Sequence, residues 1–263
     1  MSITADKSHK TAKIKSNFNL VLAVAVKDVK VRYKNSFLGI FWSMINPLIY
    51  LIVFSIVFSN VFPDIKNYPL FALTGLIFWV FFSTTSNQML TSITSNKGIL
   101  KSMNISPLIF PISTLISGLI NFLLSLVPFM IIMVLLGFTF SWVNLLIFPI
   151  IALLCLFLFG VSLTLATLNV FFRDVEMLWT SLIPVLFYFT PIVYSFQLIP
   201  PQYIYLLKLN PLYHYFTMIK SVLYYNELPE LNSAIIATVL SLIVVIIGMR
   251  TYKKFRAGFI SYY

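Results

Sequence analysis

Apolar residues in this chain come in long runs rather than in alternation. Six runs stand out, over roughly Phe37–Phe62, Leu70–Leu90, Leu108–Leu136, Val143–Phe171, Met177–Ile199 and Asn232–Arg250. Each is near the about 20 residues that an α-helix needs to cross a hydrocarbon layer about 30 Å thick. The runs are apolar on every side, which argues against a membrane barrel, whose strands are short and alternate. Ahead of them the pattern changes. From Phe18 to Tyr33 a step of about 100° per residue gathers Phe18, Leu22, Ala25, Val26, Val29 and Tyr33 into one stripe. Lys27, Asp28, Lys30, Arg32 and Lys34 take the rest of the wheel. That stretch predicts a helix lying in the headgroup plane with its cations toward anionic lipid. Val29 to Lys34 also alternates like a strand, but a lone strand beside a bilayer leaves backbone groups unpaired. A simple topology anchor is the plainer role for the same helix.

The expected architecture is therefore an all-α polytopic membrane protein. A polar N-terminal tail (1–16) leads to an amphipathic interface helix (17–35), joined at Asn35-Ser36 to a domain of six transmembrane helices (36–252) and a cytoplasmic tail (253–263). The connections are unequal. Gly137–Trp142 is a tight outer turn. The outer segment 200–231 carries Tyr203, Tyr205, Tyr213, Tyr215, Tyr224 and Tyr225; rings with a polar tip favour the membrane interface, so it predicts short re-entrant helices before the last span, with a structured outer cap as the alternative. The inner loop 95–107 predicts a short helix with Ile99, Leu100 and Met103 on one side and Lys97 and Lys101 exposed. Arg173, Asp174 and Glu176 form a second inner turn, which either caps a helix junction or meets a partner.

Charge orients this frame. With both termini in the cytoplasm, fifteen of the eighteen Lys and Arg residues fall inside, against Lys66, Lys208 and Lys220 outside, as the positive-inside rule requires. The net charge of +11 thus reads as topology rather than as a nucleic-acid footprint. Charged residues make up only 10% of the chain, and hydrophobic ones 60%, far from the about 25% charged content of soluble domains. No cleavable signal is expected, because the first apolar run is long and lacks a small-residue cleavage site.

The candidate chemistry is sparse. Cys155 is alone, and His9 and His214 are far apart without carboxylate neighbours, so neither a disulfide nor a metal site is expected. Asp64, Asp174, Glu176, Glu227 and Glu230 fall in connections or at run ends. The runs then lack the ionisable residues that mark proton- or sodium-coupled transport, and no internal repeat supports a secondary transporter. No G-x-x-x-x-G-K-[ST] phosphate loop occurs. What the runs do carry is aromatic rings: Tyr50, Phe54 and Phe58 share one face, as do Phe71, Phe78 and Phe82 with Phe81 beside them. Phe187, Tyr188 and Tyr194 sit near Pro184 and Pro191, which with Pro47 and Pro128 bend their helices. Sugars stack their C–H faces on such rings, so these nine are candidates to line a passage; for any one of them, facing lipid or packing between helices is the plainer role.

Four segments in register resemble one family. They are KDVKVRYKNSFLGIFWSMINPLIY (from Lys27), LATLNVFFRDVEMLW (Leu165–Trp179), FYFTPIVYS (Phe187–Ser195) and LNPLYHY (Leu209–Tyr215). They are similar to the membrane subunits of type-2 ABC exporters that move cell-surface polysaccharides, of the O-antigen and teichoic acid type. The resemblance implies a bacterial inner-membrane permease that is not itself an enzyme. It implies a homodimer working with two copies of a separate ATPase, which holds ATP and magnesium, so no cofactor is expected in this chain. Membrane lipids are expected partners and nucleic acid is not. A lipid-linked polysaccharide would pass between the two membrane subunits after entering beside the first and fifth spans. Lys97, Ile99, Leu100, Lys101 and Met103, with Arg173, Asp174 and Glu176, would couple to the ATPase; Lys27, Lys30, Arg32, Tyr33 and Lys34 belong to the interface helix. A type-2 exporter of small molecules shares the six spans, and a membrane enzyme acting on polyprenyl-linked sugars shares the aromatic, basic character.

Overall fold

The computed structural model describes residues 19–34, 41–58, 62, 65–102, 105–195, 199–259 and 262. The joint at Asn35-Ser36, the tail 1–16 and Met103 lie outside them. The described residues contain helices and turns and no strand. In chain order the helices are α1 (19–33), α2 (Phe41–Phe58), α3 (Tyr68–Ser95), α4 (Lys97–Ser102), α5 (Ile109–Leu135), α6 (Ile147–Asn169), α7 (Asp174–Tyr188), α8 (Ile204–Leu209), α9 (Pro211–Lys220) and α10 (Leu231–Phe255).

Four helical stretches are long and apolar enough to cross a membrane: Tyr68–Ser102, Ile109–Leu135, Trp142–Asn169 and Leu231–Gly258. The other two expected spans come out shorter. α2 has 18 residues and includes the apolar stretch Leu48–Val57. α7 has 15 residues, about 22 Å at 1.5 Å per residue, because the chain leaves the helix at Phe189 just ahead of Pro191, whose ring cannot continue it.

Local sequence explains the helix ends. α5 stops where Gly137 takes the left-handed region (φ 79°). Gly137 N–H donates to the Val134 carbonyl (3.0 Å) and Phe138 N–H to that of Met133 (2.9 Å), a Schellman closure that favours glycine. Ser141 then opens the 3-10 turn Trp142–Leu146 that leads into α6. Its hydroxyl accepts from Val143 N–H, and Asn144 Oδ1 accepts from Ser141 N–H (2.6 Å), which satisfies free donors reciprocally. α7 begins with Asp174 and Glu176 in its first turn, favourable against the positive end of the helix dipole.

α3 is the central post, packed by α2, α5, α6, α7 and α9, and α10 lies along α6. Apolar residues gain nothing from leaving lipid for another apolar surface, so such a bundle needs close backbone approach and polar bonds. Both are present. A Cβ on Gly118 would meet Thr85 Oγ1 at 2.4 Å, one on Gly75 the Ile192 carbonyl at 2.6 Å, and one on Gly160 the backbone of Val244 at 2.5 Å. Tyr215 donates to the Ala237 carbonyl (2.8 Å) and pairs with Ser241 (2.6 Å), whose hydroxyl reaches the Leu153 carbonyl (3.1 Å). α9, expected at the outer surface, is buried along most of its length, from Leu212 to Lys220.

Candidate functional site

The basic end of the bundle gathers the predicted docking residues. Asn96 stops α3 by donating Nδ2 to the Ser92 carbonyl (2.8 Å), and α4 turns off from there. Leu100 anchors α4 in a core patch with Ile93 and Phe110, while Lys97, Ile99 and Lys101 are exposed. Ile99 therefore does not share the buried side with Leu100, as the sequence predicted. Arg173, Asp174 and Glu176 are exposed at the head of α7. The two inner loops, separate in the sequence, meet here: Lys97 and Thr94 from one, and Asn169, Arg173, Glu176 and Thr180 from the other, line a single cavity of about 770 Å³.

Sequence reasoning missed a third wall of that cavity. The end of the chain is no free tail, because Phe171 stacks with Phe255, Phe259 and Tyr262 at centroid distances of 5.5, 5.8 and 4.7 Å. Phe259 is 1% exposed. The spacing of Tyr252, Phe255, Phe259 and Tyr262 at three or four residues, one helical face, was the available signal. Tyr252 also pairs its hydroxyl with Ser106 (3.2 Å), so the tail braces both inner loops.

α1 lies against the same half of the bundle, on a face that keeps Ala25, Val29 and Tyr33 of the predicted stripe and adds Val21. Val21 and Ala25 are buried, whereas Leu22 and Val26 are exposed. The apolar stripe is divided between protein on one side and the surroundings on the other. The Val21 carbonyl accepts from Ser113 (3.1 Å), Arg32 donates to Gln88 Oε1 (2.8 Å) and Tyr33 donates to Asn121 Oδ1 (2.9 Å). Lys27, Lys30 and Lys34 stay exposed. Burial raises the carboxyl of half-buried Asp28 above its ordinary range, against the pull of Lys27 and Arg32. Tyr33→Phe is expected to raise amide exchange across 24–33 about threefold, since such membrane-embedded bonds average about 0.6 kcal/mol; unchanged exchange would show that the bond does not hold α1.

The aromatic candidates separate into two groups. Phe71, Phe78 and Phe82 are buried: Phe78 meets Phe122 (4.9 Å), Phe82 meets Trp179 (6.4 Å) and Phe71 meets Tyr224 (5.1 Å). These rings take the plainer of the two roles open to them and pack between helices. Tyr50 on α2 and Tyr188 on α7 are exposed, Tyr188 at 72%. Phe187 is half-buried against Trp79 (5.4 Å). Tyr194 is half-buried and donates to the Tyr188 carbonyl (2.6 Å). Phe54 and Phe58 lie on α2, with side chains outside the described residues.

The other missed feature surrounds the broken end of α7. Leaving the helix frees carbonyls, and four of them are met by side chains. Asn210 Nδ2 donates to Phe189 O (3.0 Å), Lys220 Nζ to Pro191 O (2.5 Å), Tyr68 to Val193 O (2.8 Å) and Tyr194 to Tyr188 O. Lys220, counted in the sequence only as a topological charge, is 5% exposed, with Nζ 3.4 Å from the centroid of the Phe71 ring. Irregular backbone survives in such a setting only when protein groups satisfy it.

A bundle of apolar helices, a basic helix laid against it and two loops that share one cavity are the features of an integral membrane protein. The chain belongs to the ABC-2 type transporter family, which it matches over residues 19–224. It is 31% identical over 246 residues to an O-antigen export system permease protein RfbA of Klebsiella pneumoniae, covering 92% of this chain and 94% of that one. A Myxococcus xanthus protein of the same name is 27% identical, with 91% and 94% covered. The polysialic acid transport protein KpsM of Escherichia coli is 26% identical, with 89% and 92% covered.

Proposed function

We propose that this chain is the permease subunit of an ATP-driven exporter that moves a lipid-linked cell-surface polysaccharide across the bacterial cytoplasmic membrane. The observation that carries the reading is the near full-length similarity to permeases named for O-antigen export, 92% of this chain against 94% of the relative. The absence of a phosphate loop from the sequence agrees with ATP and magnesium being held by a separate ATPase. In this reading α2 and α7 complete six crossings together with the segments that flank them, and α8 and α9 dip into the outer leaflet. Both termini lie in the cytoplasm. Two copies pair around the polymer's path, and two ATPases seat on α4 and on the 173–176 turn. Tyr50 and Tyr188, exposed on helices near the expected entry, are the rings best placed to touch the polymer.

Deleting the gene is expected to strip the polymer from the cell surface and leave it lipid-linked in the cytoplasm; normal surface polymer in the deletion strain would overturn the reading. In the complemented strain, Tyr50→Ala with Tyr188→Ala should slow export at unchanged membrane abundance. Glu176→Lys should lower stimulation of the ATPase. Wild-type stimulation in that variant would remove the 173–176 turn from the docking surface.

A further inference from the structure

A second cavity, of about 360 Å³, lies between α3 and α5 where the end of α1 and the start of α2 cover them. Its size falls within the range of small-ligand sites, and its walls change character along the bundle. At the end nearer the basic surface they are polar: Arg32, Tyr33, Thr84, Thr85 and Asn121. Five to eight residues back along α3, about 8–12 Å away, they become Val80 and Ile77, faced by Phe122 of α5. Ser125, the polar side chain at that deeper end, returns its hydroxyl to the Asn121 carbonyl (2.9 Å). Trp42, at the start of α2, stands at the side.

The polar end is incompletely satisfied. Tyr33 and Asn121 bond each other, but Thr85, only 2% exposed, makes no hydrogen bond among the described residues. Arg32 uses one terminal nitrogen on Gln88, and a guanidinium has five donors. The cavity is approached along α1, where Lys27, Lys30, Arg32 and Lys34 face a single carboxylate, Asp28. A cation with hydroxyls at one end and aliphatic and aromatic walls at the other matches an amphiphile with an acidic head. Basic pockets between membrane helices on the cytoplasmic side take lipids of this kind.

We infer that this cavity is a binding site for an acidic phospholipid of the inner leaflet. Its phosphate lies at Arg32, Tyr33 and Thr85, and the first part of an acyl chain lies against Val80 and Phe122. The inference concerns a resident lipid and stands apart from the exported substrate. Its test reads lipid and not export, so its failure leaves the export reading untouched.

The experiment uses the purified full chain in bilayer discs and compares spin-labelled phosphatidylglycerol with spin-labelled phosphatidylcholine. The protein is expected to hold the acidic lipid in preference. Arg32→Gln should lower that preference about fivefold, the factor one cation contributes near an acidic lipid surface, while Arg32→Lys keeps most of it. Val80→Trp, which fills the apolar end and keeps every charge, should lower it as well. Lys254→Gln, which removes a cation from the same end of the bundle away from the cavity, should leave it unchanged. Equal losses in Arg32→Gln and Lys254→Gln would reduce the effect to general surface attraction and overturn the site. Full preference in folded Val80→Trp would also overturn it. Displacement of phosphatidylglycerol by a polyprenyl phosphate at equal mole fraction would overturn the phospholipid as occupant in favour of the carrier.

Discussion

Gly160→Leu is expected to abolish accumulation of the folded chain, and Gly160→Ala to lower its stability by about 1–3 kcal/mol, the usual range for overpacking. At this point α6 and α10 touch backbone to backbone. A Cβ on Gly160 would sit 2.5 Å from Val244 C and Val245 N, and one on Gly248 would sit 2.6 Å from Gly160 O. Neither neighbour is a flexible side-chain tip, so relief requires the two helices to separate. Separation loosens dispersion contacts along the pair and strains the bond from Ser241 to the Leu153 carbonyl. Lipid refills the gap without a hydrophobic penalty that would drive the helices back together. Thermal unfolding in detergent measures the effect. Gly98→Ala is the matched control, because a Cβ there meets nothing within 4 Å and Ala in an exposed helix is neutral to stabilising. A Gly160→Ala melt superimposable on wild type would sink the account of this crossing.

Lys220→Glu should be nearly as damaging, and Lys220→Met informative because it is milder. Glutamate would set an acceptor against the Pro191 carbonyl and a negative charge over the face of the Phe71 ring, both repulsive. Methionine keeps the length of the side chain, removes a buried charge and leaves one carbonyl unsatisfied, a cost of about 1–3 kcal/mol. The loss should be local, since Phe189 O and Val193 O keep their donors. With Cys155 replaced by serine and Ser195→Cys as the reporter, thiol labelling of the segment after α7 should accelerate roughly five- to a hundredfold, which corresponds to that range at 1.4 kcal/mol per tenfold. Equal labelling with Lys and Met at position 220 would show that the ammonium does not hold the break.

Much of the fold is legible in the chain, and the failures share a cause. Four of the apolar runs became the long helices α3, α5, α6 with its leading turn, and α10, because hydropathy and length report directly on crossing. Hydropathy does not report on what an apolar face meets. For α1, protein and lipid are equally acceptable neighbours, so the predicted stripe held Ala25, which is buried with Val21, but also Leu22 and Val26, which are exposed. The same blindness put Phe71, Phe78 and Phe82 on one face correctly without revealing that the face points inward. Charge counting assigned Lys220 to a side of the membrane but carried no sign of its burial, which depends on the Phe71 ring and the Pro191 carbonyl, 149 and 29 residues away. Lys97 and Arg173 were singled out separately in the sequence, and only folding could set them around one cavity. Pro191 signalled a bend; that α7 would end there depended on the donors that Asn210, Lys220 and Tyr68 supply from elsewhere.

Those donors also impose an order on biogenesis. Two of the groups that complete the end of α7, Asn210 and Lys220, are synthesised after the carbonyls they satisfy. At ~5–20 residues per second, the interval between Pro191 and Lys220 is roughly 1–6 s. Throughout it Pro191 O lacks the donor that holds it in the finished fold, and Phe189 O lacks its own until Asn210 is made. The end of α7 therefore reaches its final set of contacts only once α9 has been made.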